Sequence, residues 1–299
     1  MHTVEIPDKN IKIYVPEHLG ECSAEQYINM CNLAFKFITN QINYTEFKTH
    51  GIYYLLNMVP SQKVDEATEI QKFSNLSLLA DLVDSFFETN EEGTVKTIKQ
   101  FYINNPIYKI VGASKNYYGP SNEFNNVKFG EYVDALSHFA DFHETGETQY
   151  LYLLMATFYR EKRSKKLSKE KFTKDIRVVY NSERVDKLAK VFRVQNIGVI
   201  YGFYLLFASF QKYLTTAKLY VQGKEIDLSI LFDGEETIES DIPGIGMKST
   251  LYTIAESGIF GTLKEVRNTP LWEVLIRMYD IRKRDLDAIA QQKKLEKTT

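Results

Sequence analysis

The stretch that decides the fold runs from Tyr118 to Arg160 and reads YGPSNEFNNVKFGEYVDALSHFADFHETGETQYLYLLMATFYR. A Gly-Pro turn leads into one amphipathic helix, predicted at about Phe129 to Glu144. A short Thr-Gly loop follows, and a second helix is predicted to end at Arg160. Because the stretch has no convergent nucleophile, phosphate loop or clean set of metal ligands, it predicts a helical packing unit.

The N-terminal segment predicts a short strand and then a helix. Residues 1–20 alternate between apolar and polar side chains, which is typical of extended chain. Ser23 and Gln26 have the spacing of a capping box, in which each side chain bonds the other residue's backbone N–H. The helix is therefore predicted to begin directly after Ser23.

Two further helices are predicted before residue 92. Thr45 is expected to cap the first, which ends at about Met58. The second is expected from about Lys63 to Glu88. Apolar residues of this second helix recur at the spacing of a buried face, namely Leu76, Leu79, Val83 and Phe86.

Two segments predict β structure. Residues 94–112 favour β-branched and aromatic side chains on both sides of an Asn-Asn-Pro turn at 104–106, which predicts a small hairpin. A short strand pair is predicted within 218–232. The sequence thus predicts a mainly α, multi-helix globular protein with a β-hairpin insertion at about 94–112 and a short N-terminal strand. Its expected regions are 1–92, 93–128 (hairpin and loop) and 129–299 (C-terminal helical domain).

Composition favours a protein without a strong electrostatic preference. The 299 residues carry a formal net charge of −2, which gives no global reason to expect nucleic acid or an acidic membrane as partner. Cys22 and Cys31 are too few for a disulfide framework. The first 18 residues carry charges where a signal peptide needs an apolar run. A cytosolic location is expected, which for a viral protein means the host cytoplasm, the virion or both.

The longest apolar run is IGVIYGFYLLFASF at residues 197–210. It is shorter than the roughly 20 residues that a membrane span needs. Gly198 and Gly202 lie four residues apart, a spacing that lets a neighbouring helix approach closely. The run therefore predicts a buried central helix, and no membrane partner is expected.

Two segments resemble catalytic or ligand-binding motifs only superficially. In PGIGMKST, residues 243–250, Met247 occupies the place where a phosphate loop has glycine, so a turn at Gly244 followed by a helix cap at Ser249 or Thr250 is the better interpretation. Asp134 and His138 share one helical face but have no further ligand cluster to complete a metal site. No catalytic residue, metal or cofactor is assigned, and the chain is predicted not to be an enzyme.

A basic run covers residues 160–174, REKRSKKLSKEKFTK, with eight Lys or Arg and two Glu. If it is exposed, it could contact phosphates of a nucleic acid. A solvated loop, or pairing with an acidic patch on another subunit, are the alternatives. The candidate contact residues are Arg160, Lys162, Arg163, Lys165 and Lys166.

The C-terminal helix supplies the candidate surface for a protein partner. Pro270 is expected in its first turn, and apolar residues follow at helical spacing. Such a stripe either contacts a partner or packs in the core. The candidate partner-binding residues are Ile259, Phe260, Leu271, Trp272, Leu275, Ile276 and Tyr279.

Four segments, in order, carry a family resemblance: YVPEHLGECSAEQYINMCNLAFKF (14–37), YGPSNEFNNVKFGEYVDA (118–135), YLYLLMATFYREKR (150–163) and TLYTIAESGIFGTLKEVRNTPLWEVLIRMYD (250–280). They resemble proteins encoded in the tail gene blocks of phages and prophages of Bacteroidetes bacteria. The chain is most similar to tail assembly chaperones, which hold tape-measure helices or tail subunits before polymerisation.

This resemblance implies a structural role in tail or virion assembly, through contacts with other phage proteins or with further copies of the same chain. Nucleic-acid binding through the basic run at 160–174 is the alternative function. A deep pocket with converging ionisable side chains would count against the first of these hypotheses.

Overall fold

The structure, a computed structural model, describes residues 1–6, 10–59, 66–89, 96–112, 114–164, 175–221, 223–232 and 247–296. These residues form ten α-helices and nine short strands, and the strands belong to sheets of two or three. The predicted mainly α fold with small β insertions is confirmed.

The chain begins with a β-hairpin. Strands β1 (His2–Ile6) and β2 (Ile11–Val15) pair antiparallel, and α1 (Ala24–Ile38) follows. The predicted capping box of α1 is confirmed, because the Gln26 N–H donates to Ser23 Oγ at 3.3 Å and the Ser23 N–H donates to Gln26 Oε1 at 2.9 Å.

The next helices differ in detail from their predictions. Helix α2 (Tyr44–Leu55) is capped by Asn43, whose side chain accepts from the Glu46 N–H, so the predicted cap at Thr45 is wrong. Helix α3 (Glu66–Ala80) continues into a 3-10 helix, Asp81–Phe86. The predicted start at Lys63 lies outside the described residues. The apolar positions predicted to face the core do so: Leu76, Leu79, Val83 and Phe86.

A β insertion lies near residues 94–112, but its strands pair differently from the prediction. Strand β4 (Lys96–Ile98) pairs with β3 (Phe87–Thr89), whereas β5 (Lys109–Val111) pairs with β6 (Asn116–Tyr118). The predicted hairpin turn at 104–106 does not form. Asn105 instead donates from its side chain to the Pro120 carbonyl at 2.8 Å, which ties this loop to the chain beyond β6.

The stretch that decides the fold forms the predicted helix pair. Helix α4 (Phe129–Thr145) ends at Gly146, whose φ of 70° is left-handed and suits glycine, and α5 (Thr148–Phe158) follows. Helix α5 ends before Arg160 because Tyr159 is extended. Arg160 belongs to the two-residue strand β7 (Arg160–Glu161), which pairs with β6.

The predicted buried central helix is confirmed. Helix α6 (Val185–Phe192) precedes α7 (Ile197–Thr216), which is the one helix in the described ranges long and apolar enough to cross a membrane. Its most apolar window is 78% buried inside the protein. Helix α1 packs along it at the two predicted glycines, since a Cβ on Gly198 would lie 2.1 Å from the Ile28 carbonyl oxygen.

In the described residues after α7, two strands and a 3-10 helix are followed by three helices. Strands β8 (Lys218–Val221) and β9 (Lys224–Asp227) form the predicted strand pair. Helices α8 (Met247–Glu256) and α9 (Leu263–Asn268) then lead to α10 (Leu271–Glu296), which begins directly after Pro270 as predicted. Gly244 lies outside the described residues, and Ser249 and Thr250 lie inside α8, so neither is the predicted cap.

A single hydrophobic core runs from Val15 in β2 to Leu275 in α10. Aromatic rings concentrate on α7, where Phe210 stacks on Phe124 with ring centroids 4.2 Å apart. Residues from all three predicted regions, 1–92, 93–128 and 129–299, contribute to this core. The core is therefore continuous across both predicted boundaries.

Candidate functional site

The C-terminal residues predicted to bind a partner are divided between the core and the surface. Leu271 and Leu275 are fully buried in the core, and Ile259 is exposed. The side chains of Phe260, Ile276 and Tyr279 are partly buried and pack against the core, as does Trp272. The structure thus assigns the main apolar stripe of α10 to folding.

Trp272 is held by two contacts within the protein. Its ring meets Phe210 edge-on with centroids 5.8 Å apart. Its indole N–H donates to the Glu123 carbonyl oxygen at 2.9 Å. A substitution of Trp272 would therefore perturb the fold as well as any surface that the residue helps to form.

The structure describes residues 160–164 of the predicted basic run, and the three basic side chains among them differ in exposure. Arg160 is buried and ion-paired, which corrects the prediction that it belongs to an exposed loop. Lys162 is exposed, and Arg163 is partly buried and donates to the Arg177 carbonyl at 2.6 Å. Lys165 and Lys166 lie outside the described residues.

Arg160 is buried as part of a polar cluster. We call this cluster, which consists of Glu131, Arg160, Asp175 and Arg177, the arginine–carboxylate network. Arg160 Nη2 lies 2.9 Å from Glu131 Oε1, and Arg177 Nη2 lies 3.5 Å from Glu131 Oε2. Arg177 also donates twice to Asp175, from Nε at 2.9 Å and from Nη2 at 3.0 Å. Two acids and two bases thus neutralise one another inside the fold.

Backbone carbonyls accept further hydrogen bonds from both guanidinium groups of the network. Arg177 donates to the carbonyls of Phe158 at 2.9 Å and Asn126 at 2.8 Å. Arg160 donates to the carbonyls of Thr157 and Val178, both at 2.8 Å. The two arginines therefore join the end of α5, the loop before α4 and the segment 175–178.

Burial acts on the charge of both arginines. It lowers the pKa of the Arg160 guanidinium, and the nearby Glu131 carboxylate opposes this effect. Burial also disfavours charge on Arg177, but Glu131 and Asp175 outweigh it and raise the pKa of Arg177. Both arginines remain cationic at neutral pH, because the ordinary arginine pKa lies far above 7.

Three members of the network, Glu131, Arg160 and Asp175, line a cleft of about 1060 Å³. The cleft is bounded by the start of α4, by the segment 178–184 and by α9 with Pro270. Its walls combine cationic side chains with apolar ones. The residues that line it include Lys128, Glu131, Val179, Arg184, Leu263 and Lys264.

A second ion pair joins two elements at the side of the cleft. Arg267 of α9 donates to the Asp134 carboxylate of α4, and the Tyr180 hydroxyl donates to the same carboxylate at 2.7 Å. Burial raises the pKa of Tyr180, and Asp134 adds to this effect. Asp134 is therefore engaged with Arg267 and Tyr180, which does not fit its interpretation as a metal ligand beside His138.

Sequence reasoning identified only one member of the network, Arg160. One sequence feature pointed to the burial of Glu131. It shares a helix face with the apolar residues Ala135, four residues later, and Phe142, eleven residues later, and the structure buries both. Asp175 and Arg177 pair with each other two residues apart, but their place in the network carried no comparable signal, because Glu131 and the carbonyls of Asn126 and Phe158 come from distant parts of the chain.

His138 is partly buried on α4 without forming a metal site. Burial lowers its pKa, although Asp141 and Asp134 oppose the shift. Within the described ranges, no group of three His, Cys, Asp or Glu side chains is close enough to hold a metal ion. Burial therefore favours the neutral form of His138 in the folded protein.

Acidification below pH 7 should destabilise the protein through His138. Its pKa in the folded state lies below the ordinary value of about 6.5, so the unfolded chain binds the proton first. The stabilisation is complete above about pH 6.5 and is lost as the pH falls toward the folded-state pKa. Urea unfolding between about pH 7.5 and 5.5 should show this slope, and His138→Gln should reduce it.

His143 provides the matched control, because it lies on the same helix and is exposed. The variant His143→Gln should keep the parental slope. An unchanged slope in His138→Gln would show that His138 does not link stability to pH.

Helix α3 carries an apolar surface that the sequence prediction missed. Ile70, Phe73 and Leu78 are 62%, 67% and 68% exposed. Phe73 and Leu76 lie three residues apart and are neighbours on the helix surface, so the exposed side chains border the strip of Leu76 and Leu79 that packs against the core. We call these three residues the α3 outer face.

No protein-family model, curated protein or solved structure matches the chain. The resemblance of the four segments to phage tail-region proteins stays a prediction. The described residues themselves must therefore carry the argument about function.

Proposed function

We propose that this chain is a non-enzymatic protein of phage or prophage origin that acts in tail or virion assembly by binding other proteins. The α3 outer face carries the proposal. Its three large apolar side chains are each more than 60% exposed and spread over about 140° of one helix, on which Ile70 and Phe73 are neighbours. Clustered exposed apolar side chains mark protein interaction sites, whereas single exposed apolar residues do not.

The binding mode that fits this face is helix against helix. Ile70 and Phe73 are neighbours three residues apart, and Leu78 lies eight residues after Ile70, about 12 Å further along the axis. An amphipathic helix of a tape-measure protein or a tail subunit would bury these side chains. The ordered resemblance of the four segments supports a phage partner, and the host cytoplasm is then the site of action.

The arginine–carboxylate network supports a non-catalytic role despite lying in a cleft with converging ionisable side chains. Glu131 and Asp175 are each held by guanidinium groups, at 2.9 to 3.7 Å. These arginines also bind backbone carbonyls of three separate segments. Contacts of this kind stabilise the fold around the cleft.

Charged substitutions in the α3 outer face should abolish partner capture. The double variant Ile70→Asp with Phe73→Asp places two carboxylates on a surface that is buried only in the complex, so affinity should fall at least tenfold. The assay is co-expression with the products of the neighbouring tail genes, followed by co-purification and titration. Stability should change little, because both side chains are exposed in the free protein.

Val194→Asp is the matched control, since Val194 is 85% exposed and belongs to a different part of the fold. It should capture the partner as the parent does. Equal capture by the double variant and the control would sink the assignment of this face. Light scattering of each variant also tests whether the face binds a different protein or a second copy of this chain. Loss of a homodimer in the double variant would identify the second copy.

A further inference from the structure

The cleft above the arginine–carboxylate network has an excess of positive charge that the fold does not use. The network itself is neutral, and Arg267 is paired with Asp134. In the part of the chain described here, Lys128, Arg184 and Lys264 line the cleft without an ion-pair partner. Glu183 is the one lining carboxylate outside the network. The cleft therefore attracts anions.

Apolar side chains share the cleft with these cations. Val179 and Leu263 both line it and both remain substantially exposed, at 58% and 39%. A simple oxyanion would leave this apolar surface in water. A ligand that carries apolar groups next to its negative charges would bury it.

Glu131 offers no further contact to a ligand. It is 1% exposed, and its Oε2 atom is buried 3.5 Å from Arg177 Nη2. A ligand would therefore be bound by the cations and the apolar side chains of the walls.

The aromatic content of the cleft disfavours a nucleic acid. Proteins that bind single strands without sequence preference stack bases on exposed aromatic rings. Among the described lining residues, Tyr180 is the one aromatic, and its ring is covered by the Arg160 guanidinium, 5.6 Å from its centroid. Its hydroxyl is occupied by Asp134.

We propose that this cleft binds an extended acidic peptide segment of a partner protein, with carboxylates on Lys128, Arg184 and Lys264 and small apolar side chains on Val179 and Leu263. At about 1060 Å³ it exceeds the usual volume of a small-molecule site and has room for several residues. This inference deepens the proposed function, on which it rests for the nature of the partner.

The test uses the full chain and a fluorescein-labelled peptide in which glutamate alternates with valine, followed by fluorescence anisotropy at low salt. The variant Arg184→Glu with Lys264→Glu should bind at least tenfold more weakly. Both side chains are exposed, so folding should be preserved. Binding by the parent should also weaken as salt increases, because the contacts are electrostatic.

The charge-matched control is Lys224→Glu with Lys293→Glu, two exposed lysines that do not line the cleft. It should bind the peptide as the parent does. Equal weakening in both double variants would overturn the proposal, because only net charge would then matter. Binding of a single-stranded oligonucleotide that is lost only in the cleft variant, with the peptide unbound, would also overturn it in favour of nucleic acid.

The peptide-binding test and the partner-capture test can fail independently of each other. Peptide binding is measured on purified protein without any tail component, whereas partner capture is measured through the α3 outer face. Failure of the peptide to bind, with capture still dependent on Ile70 and Phe73, would remove only the cleft inference. Peptide binding without capture of any tail protein would remove only the proposed role in assembly.

Discussion

Replacing Arg177 with methionine is expected to lower the free energy of unfolding by about 3 to 5 kcal/mol, the usual cost of removing one partner from a buried ion pair. Methionine has no hydrogen-bond donor, so the buried Glu131 and the partly buried Asp175 would each lose a paired cation. The carbonyls of Phe158 and Asn126 would also lose their donors. Urea unfolding followed by circular dichroism measures the change.

Two further variants keep this expectation falsifiable. Arg177→Lys retains the charge but loses the planar fork, so it should be destabilised less and can be purified if the methionine variant cannot. Arg184→Met, on an exposed arginine of the same cleft, should change stability by no more than about 0.5 kcal/mol. Equal unfolding midpoints for Arg177→Met, Arg184→Met and the parent would refute a stabilising role for the network.

Adding a single methyl group at Gly198 is expected to destabilise the protein by about 3 kcal/mol, the upper end of the usual range for overpacking. In Gly198→Ala the new Cβ would lie 2.1 Å from the backbone oxygen of Ile28 and 3.0 Å from Asn32. A backbone carbonyl cannot rotate away, so α1 and α7 would have to separate. The better helix propensity of alanine, about 1 kcal/mol, offsets only part of this cost.

Gly51→Ala is the control for this substitution. Gly51 also lies in a helix, α2, but a Cβ there would meet Met30 and Val83 at 3.4 Å, which is ordinary contact. This variant should be neutral or slightly stabilised in thermal unfolding. A similar midpoint for Gly198→Ala would mean that α1 and α7 do not approach as closely as described.

Local chemistry made the helical framework predictable from the sequence. Ser23 and Gln26 cap α1 because both partners lie within one turn of chain. Gly198 and Gly202 mark the helix contact because only a missing side chain permits that approach. Features of this kind depend on neighbours close in sequence or on one residue type, and both can be read from the chain itself.

Features that depend on distant partners could not be predicted in the same way. Strands β4 and β5 have three residues each, and so short a segment does not specify which strand it pairs with. Arg160 and Glu131 are 29 residues apart, and basic neighbours in the sequence favoured an exposed loop for Arg160. The apolar spacing of α10 was recognised, but spacing alone does not distinguish a core face from a binding face.

Two backbone hydrogen bonds beside the network hold together the two ends of the chain segment between Arg160 and Arg177. The Arg163 N–H donates to the Ile176 carbonyl at 2.9 Å, and the Val178 N–H donates to the Glu161 carbonyl at 2.8 Å. The exit and the return of residues 165–174 are therefore fastened side by side, whatever course those residues take. An epitope inserted within residues 165–174 is expected to leave both backbone bonds in place, because the residues that form them lie outside the insertion.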